Sequence, residues 1–249
     1  MFNEIIYAVI QAATEFLPVS SSGHLALVSN LISKPDLFLF TALHLASVFA
    51  VLIFTRKEII ELLQFKEESR NLWIYLIIAT IPAALFGFFF KDVIEKAFSS
   101  YLFLSLAFIF TGIILLFTRF SKVYSELNIK NSIFIGLLQV LALFPGISRS
   151  GMTISAGLFS GIDRERAAKF SFLLFIPLAL GAFVLELSSF TINTSIIISF
   201  FICAILSFLF LNLLTVIIKK GKFWMFSIYC FIVGVICLML YFKFNFYVF

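Results

Sequence analysis

Six uninterrupted apolar runs, near 37–54, 72–90, 101–118, 170–187, 195–218 and 224–242, constrain this chain more than any other feature. Each has at least about 18 residues, and at ~1.5 Å rise per residue a helix of that length covers ~27 Å, close to the hydrocarbon thickness of a bilayer. Helices that satisfy their own backbone groups are the form such runs take in lipid. Composition agrees, with 62% hydrophobic and 12% charged residues. Soluble domains run nearer ~45–50% and ~25%, so disorder, collagen, coiled coil and a disulfide scaffold are excluded. The 36 phenylalanines are read as lipid-facing bulk. Cys203, Cys230 and Cys237 lie inside apolar runs with neither disulfide nor metal spacing, and are expected to be small buried hydrophobes. No basic residue precedes Lys34, so a cleavable signal peptide is not expected. The expectation is one all-α integral membrane domain over 1–249, without a soluble appendage.

Two further apolar stretches, 1–30 and 131–161, are broken in the middle, at Pro18-Val19-Ser20-Ser21-Ser22-Gly23 and at Pro145-Gly146-Ile147-Ser148-Arg149-Ser150-Gly151. Each half has about 10–15 residues, too short to cross. Such pairs read as re-entrant hairpins, whose non-helical backbone must be shielded by protein or line a wet cavity. With six crossings and two hairpins, thirteen basic residues fall on one face. They lie in 55–71 (including Arg56, Lys57, Lys66 and Arg70), 119–130, 162–169 and 219–223. Only Lys34, Lys91, Lys96 and Lys243 fall on the other, so the first face is assigned to the cytoplasm. Both termini and the first hairpin then open outward, and the second hairpin opens inward. The net charge of +5 is this topology signal, and with no basic face nucleic acid is not an expected partner.

An ungapped shift of 128 residues places Gln11 on Gln139, Phe16 on Phe144, Ser20 on Ser148, Ser22 on Ser150 and Gly23 on Gly151. Each half, about 1–120 and about 129–249, then holds one hairpin and three spans. An odd number of crossings makes the halves inverted, an arrangement that builds sites where broken helices meet near the midplane.

A charged group at membrane depth costs roughly 2.5–3.5 kcal/mol and needs a partner or a purpose. The first hairpin carries Gln11, Thr14, Glu15, Ser20, Ser21, Ser22 and His24, and the second carries Gln139, Ser148, Arg149, Ser150 and Thr153. Gln11 and Glu15 share a helical face. The helices restart at N-cap serines beside Gly23 and Gly151, where backbone N–H groups favour an anion. Arg149 adds a fork that matches phosphate oxygens. A purely structural Glu15–Arg149 pair stays open as the plainer reading, and helix-to-helix bonding is the plainer role for Thr14 and Ser20. His44, alone among apolar residues, ranks below this cluster. Glu58, Glu61, Glu67 and Glu68 are expected to be solvated loop residues, and Glu186 interfacial.

The segment Gln11-Ala12-Ala13-Thr14-Glu15-Phe16-Leu17-Pro18-Val19-Ser20-Ser21-Ser22-Gly23-His24 resembles the first signature of the undecaprenyl-diphosphate phosphatases, also called bacitracin-resistance proteins. Pro145-Gly146-Ile147-Ser148-Arg149-Ser150-Gly151-Met152-Thr153 resembles the second, and similarity extends through Ile81–Ala84 and Phe170–Leu174. The resemblance implies hydrolysis of a polyprenyl diphosphate to the monophosphate and inorganic phosphate. That step recycles the lipid carrier of cell-wall synthesis in the bacterial inner membrane. It also implies two re-entrant hairpins in an inverted repeat, a requirement for Mg2+ or Ca2+, and functional positions at Gln11, Glu15, Ser21, His24, Ser148, Arg149 and Thr153. Many members have Glu-Gly where this chain has Gln11-Ala12, leaving one acidic group fewer. Ser22-Gly23-His24 also echoes the phosphatidic-acid phosphatases, but the later histidine of that class is absent.

The expected chemistry is phosphoryl transfer by positioning and charge stabilisation. Arg149 and the second helix start hold the diphosphate, with Ser22, Gly23, Ser148, Ser150, Gly151 and Thr153 as further binding residues. Glu15 and Gln11 hold a divalent metal, Ser21 is the nucleophile, and His24 is the general acid–base. Attack by water or His24 stays open, as does lipid-phosphate transport without hydrolysis. The prenyl tail lies among apolar helices, with turnover on the extracytoplasmic side. A homodimer is compatible with the sequence, which sets no oligomeric state.

Overall fold

A computed structural model describes residues 2–32, 37–64, 67–185 and 193–246. Lys34, Lys66 and Glu186 lie outside them. The described chain is helical throughout, with α1 (Phe2–Phe16), α2 (Ser21–Leu31), α3 (Leu37–Phe54), α4 (Arg56–Leu63), α5 (Glu67–Phe89), α6 (Lys91–Ala97), α7 (Tyr101–Phe117), α8 (Ile129–Leu141), α9 (Arg149–Phe159), α10 (Arg164–Leu185), α11 (Thr194–Lys219) and α12 (Phe226–Phe246). Five helices, α5, α7, α10, α11 and α12, are long and apolar enough to cross a bilayer. A sixth crossing is reached by counting α3 with α4, which bends from it by 78°. The breaks at Pro18 and Pro145 separate α1 from α2 and α8 from α9, all shorter than a span.

The helices extend further than the apolar runs. α10 starts at Arg164 because Asp163 caps it, its carboxylate accepting from the N–H groups of Glu165 at 3.0 Å and Arg166 at 3.3 Å. The expected loop over 162–169 is thus largely helix. Glu58 is no solvated loop residue either, since it stands on α4 and pairs with Lys169 at 2.5 Å.

The four segments that carry the thirteen basic residues meet at one end of the bundle. Glu58 reaches Lys169, Glu126 reaches Arg166 at 3.1 Å, Glu165 reaches Lys219 at 3.1 Å, and the Arg119 guanidinium lies 5.1 Å from the Trp224 ring centroid. Exposed pairs of this kind add at most about 1 kcal/mol each. Their value here is positional, because they define a charged end against which depth can be measured.

Between the apolar helices, small residues and hydroxyls make the contacts, as expected where lipid removes the hydrophobic drive for helix association. Ser105 donates to Gly234 O at 2.8 Å between α7 and α12, and Ser47 lies 3.2 Å from Ser207 between α3 and α11. α8 crosses α5 so closely that Gln139 donates to Ala79 O at 3.0 Å. Thr14 turns back to its own helix, donating to Ile10 O at 2.6 Å. All three cysteines are free and buried. The outer surface shows Phe88, Phe201, Ile205 and Met239. α1 packs along α11 and α8 along α5. Ser20 and Ser148, 128 residues apart in the sequence, cap α2 and α9 in the same way, each hydroxyl accepting from the glycine N–H three residues on.

A Cβ added at Gly136 would sit 2.8 Å from Ala79 O and 2.9 Å from Ala79 Cα, both backbone atoms that cannot step aside. Gly136→Ala should therefore lower unfolding free energy by about 1–3 kcal/mol. Gly181→Ala, with nothing within 4 Å, should be neutral or raise it by about 0.5–1 kcal/mol. Thermal unfolding in detergent measures both, and equal losses would contradict the close crossing.

Candidate active site between the hairpin tips

Both interrupted helices are held open by specific bonds. After Pro18, which breaks α1, Val19 N–H turns back to Leu17 O at 2.7 Å. Ser20 then adopts φ 65°, the only positive φ at a non-glycine among the described residues. Its carbonyl accepts from the His24 backbone N–H at 3.2 Å and lies 2.8 Å from His24 Nδ1. Its hydroxyl accepts from Gly23 N–H at 3.3 Å and from Gly146 N–H at 3.1 Å. One hydroxyl thus joins the tip of the first hairpin to the tip of the second. Gly146 has φ 91°, and its carbonyl accepts from Thr111 Oγ1 at 3.0 Å. Gly23 abuts it, and a Cβ there would fall 2.6 Å from the Phe108 ring and 2.8 Å from the Gly146 backbone.

This joint brings Glu15 and Arg149 together. Arg149 Nη2 donates to Glu15 Oε1 at 2.8 Å. Glu15 Oε2 accepts from Ser21 Oγ at 2.6 Å and from Gln11 Nε2 at 2.9 Å, and stands 3.6 Å from His44 Nε2. The guanidinium is held from behind. Nη1 donates to Ser171 O at 3.1 Å, and its carbon lies 4.3 Å over the Phe175 ring. Thr153 donates to Arg149 O at 2.9 Å, and its hydroxyl also meets Ser171 Oγ at 2.6 Å, where the serine must be the donor. A cavity of about 190 Å³ opens on this centre, walled by Glu15, Ser20, Ser21, Ser22, His44, Ser148, Arg149 and Phe175 among others. The two charges are almost fully buried, so removing either alone would strand the other, at a cost of about 3–5 kcal/mol.

Gln11, Glu15, Ser21 and Arg149 thus form one network, and Ser22 and Ser148 line the same cavity. The other expected residues lie elsewhere. Gly23 and Gly151 give their N–H groups to Ser20 and Ser148, so capping takes up two of the amides expected to bind an anion. Ser150 is buried against Leu17 O at 3.4 Å, and Thr153 braces the Arg149 backbone. His24 is turned away from the cavity. Its Nδ1 must donate to the Ser20 carbonyl, so Nε2 accepts from Tyr229 OH at 2.8 Å, with the two rings stacked. The imidazole that walls the cavity is His44, which the sequence showed only as a lone polar residue in an apolar run. Ser171, Phe175, Thr111 and Tyr229 were missed because hydroxyls and aromatics are unremarkable in membrane helices.

A divalent metal held by Glu15 and Gln11 does not fit this donor set. Among the described residues no group of three or more His, Cys, Asp or Glu side chains converges on a point. Glu15 is the one carboxylate in the cavity wall, and both its oxygens are engaged, one by a guanidinium that would repel a dication. Gln11 is fully buried behind it and turns its N–H toward the same carboxylate.

The model of a family described as bacitracin resistance protein BacA matches residues 4–236. A Thermosipho africanus protein named undecaprenyl-diphosphatase is 43% identical over 245 residues, covering 94% of this chain and 98% of its own length. Proteins of the same name from Thermosipho melanesiensis and Methanococcus vannielii are 41% and 37% identical, covering 95% and 92% of this chain and 98% and 96% of their own.

Ser20→Ala would leave two buried N–H groups without their acceptor, each worth about 1–3 kcal/mol, in a backbone conformation that alanine resists. Unfolding free energy in detergent should drop by about 2–4 kcal/mol, against under about 1 kcal/mol for Ser22→Ala. Indistinguishable values would remove Ser20 as the joint between the hairpins.

Proposed function

The chain belongs to the bacitracin resistance protein BacA family, and we propose that the cavity between its hairpin tips is where it hydrolyses undecaprenyl diphosphate to the monophosphate and inorganic phosphate. One observation carries this reading. A guanidinium from one hairpin and a serine hydroxyl from the other converge on the same carboxylate, where polar groups gather at one side of a small, otherwise apolar cavity.

The diphosphate would meet Arg149, whose guanidinium is already fixed in orientation by Ser171 and Phe175. Such a fork neutralises phosphate oxygens with little reorganisation. Ser21 would be the nucleophile, a reading supported by its bond to the carboxylate. Its proton passes to Glu15 Oε2, its oxygen attacks the terminal phosphorus, and the bond to the bridging oxygen breaks, with the prenyl monophosphate taking the electron pair. Water then releases the phosphoryl group from Ser21. Gln11 holds the carboxylate toward Ser21, and Thr153 and Ser171 hold the arginine. A divalent cation, Mg2+ or Ca2+, would offset charge on the diphosphate.

Depth supports turnover on the extracytoplasmic face. The charged end is cytoplasmic by the positive-inside bias. Along α10 the cavity wall runs from Phe175 to Ala182, roughly 17 to 27 Å from Arg164 at 1.5 Å per residue, so it extends away from that end. The lipid tail would run among the apolar helices from a multi-pass position in the bacterial inner membrane. The matching caps at Ser20 and Ser148 support reading the halves as inverted repeats.

Arg149→Lys keeps the charge but loses the fork, and should slow phosphate release from a prenyl diphosphate in micelles by roughly 10- to 100-fold. Near-normal turnover would remove the clamp. Ser21→Ala should abolish release, and a substantial residual rate would favour direct attack by water. A protein that only moved the lipid phosphate would release none.

A further inference from the structure

The described chain has two imidazoles, and their surroundings differ in kind. His24 has both nitrogens engaged, by the Ser20 carbonyl and by Tyr229 OH. His44 has one. Its Nδ1 lies 2.9 Å from Phe40 O, and a carbonyl can only accept, so the ring proton sits on Nδ1. In the neutral ring the unshared pair is then on Nε2, which has no hydrogen-bond partner among the described residues. This nitrogen stands 3.6 Å from Glu15 Oε2, in the cavity wall. The His44 side chain is 34% exposed, against 6% for Glu15. Glu15 is poorly placed to receive a second proton from outside, because Arg149 holds Oε1 and Ser21 and Gln11 hold Oε2. A water molecule in the cavity therefore meets one uncommitted basic atom, His44 Nε2.

We propose that His44 is the general base of the second half of the reaction, the step that clears phosphate from Ser21. This rests on Ser21 being the nucleophile. Water gives a proton to His44 Nε2 as its oxygen forms a bond to the phosphorus of phosphoserine. The bond between phosphorus and Ser21 Oγ breaks, and Oγ recovers from Glu15 the proton it gave up in the first half. Inorganic phosphate leaves, and His44 sheds its proton to the water of the cavity. Each cycle consumes one water and releases one proton, with Ser21, Glu15 and His44 restored. Glu15 serves the serine and His44 serves the water, so each half has its own base.

The roles predict different behaviour for the two halves. A prenyl diphosphate labelled at the terminal phosphorus is mixed with full-length protein in micelles, and prenyl monophosphate, free phosphate and protein-bound label are followed separately. The native chain should release both products together, without accumulating label. His44→Phe and His44→Gln keep the bulk and lose the base. Each should release about one equivalent of prenyl monophosphate at once, then slow at least 100-fold in phosphate release, with label retained on Ser21. Ser21→Ala should give neither burst nor label. Thermal unfolding of both His44 variants confirms that they fold, and agreement between them excludes a packing effect of either replacement. Native rates without label in the His44 variants overturn the assignment and leave Ser21 in its role. Equal slowing of both products without label also overturns it. A burst that survives in Ser21→Ala overturns the nucleophile, and the base assigned to its phosphoester falls with it.

Discussion

The buried pair of Glu15 and Arg149 is the interaction on which the rest of the molecule depends. Two opposite charges 2.8 Å apart in a low-dielectric interior attract strongly, yet both had to leave water, and the net stability of such pairs is close to zero. Its contribution is to specify geometry. Neither group can stay charged at that depth without the other, so the arrangement that satisfies both keeps the two hairpin tips in register.

Holding two broken helices tip to tip demands more than charge. The loops expose backbone groups where no solvent is guaranteed, and each must find a partner inside the protein. Ser20 satisfies two N–H groups, one from each hairpin, and takes a left-handed conformation to do it. Thr111 performs a similar service for Gly146 O and Ser148 N. Gly23 and Gly146 are small because the two loops touch there at backbone distance. His24 belongs to this framework, since its ring ties the strained Ser20 carbonyl to Tyr229 on α12. Strain at Ser20 and precision at Ser21 are neighbours, and the structure confines one to secure the other.

Much of the site was legible in the sequence because polar residues in an apolar chain stand out by cost. Gln11, Glu15, Ser21 and Arg149 were recognisable as a group, and they share one hydrogen-bond network. The histidines are placed otherwise than their sequence neighbourhoods suggest, since His44 and not His24 lines the cavity. His24 sits in a polar cluster and gains attention by proximity, whereas His44 sits in an unbroken apolar helix and looks like packing. Helix direction decides which imidazole reaches the cavity, and a linear motif does not carry that direction. The two hairpin glycines were likewise read as free amide donors, when the adjacent serines had already claimed those amides as caps.

The sequence by itself determined that the chain is a helical membrane protein with two interrupted hairpins, since run length, breaks at proline and the bias of basic residues are local or additive quantities. It also determined that a carboxylate and a guanidinium at depth must be paired. Only the tertiary structure decided what surrounds that pair. The packing of α3 and α10 turned His44 and Phe175 into the cavity wall, drew Gln11 behind the carboxylate and sent His24 toward α12. Those choices follow from how the spanning and hairpin helices together fill one volume, and that is a collective property of the packed bundle that no single segment encodes.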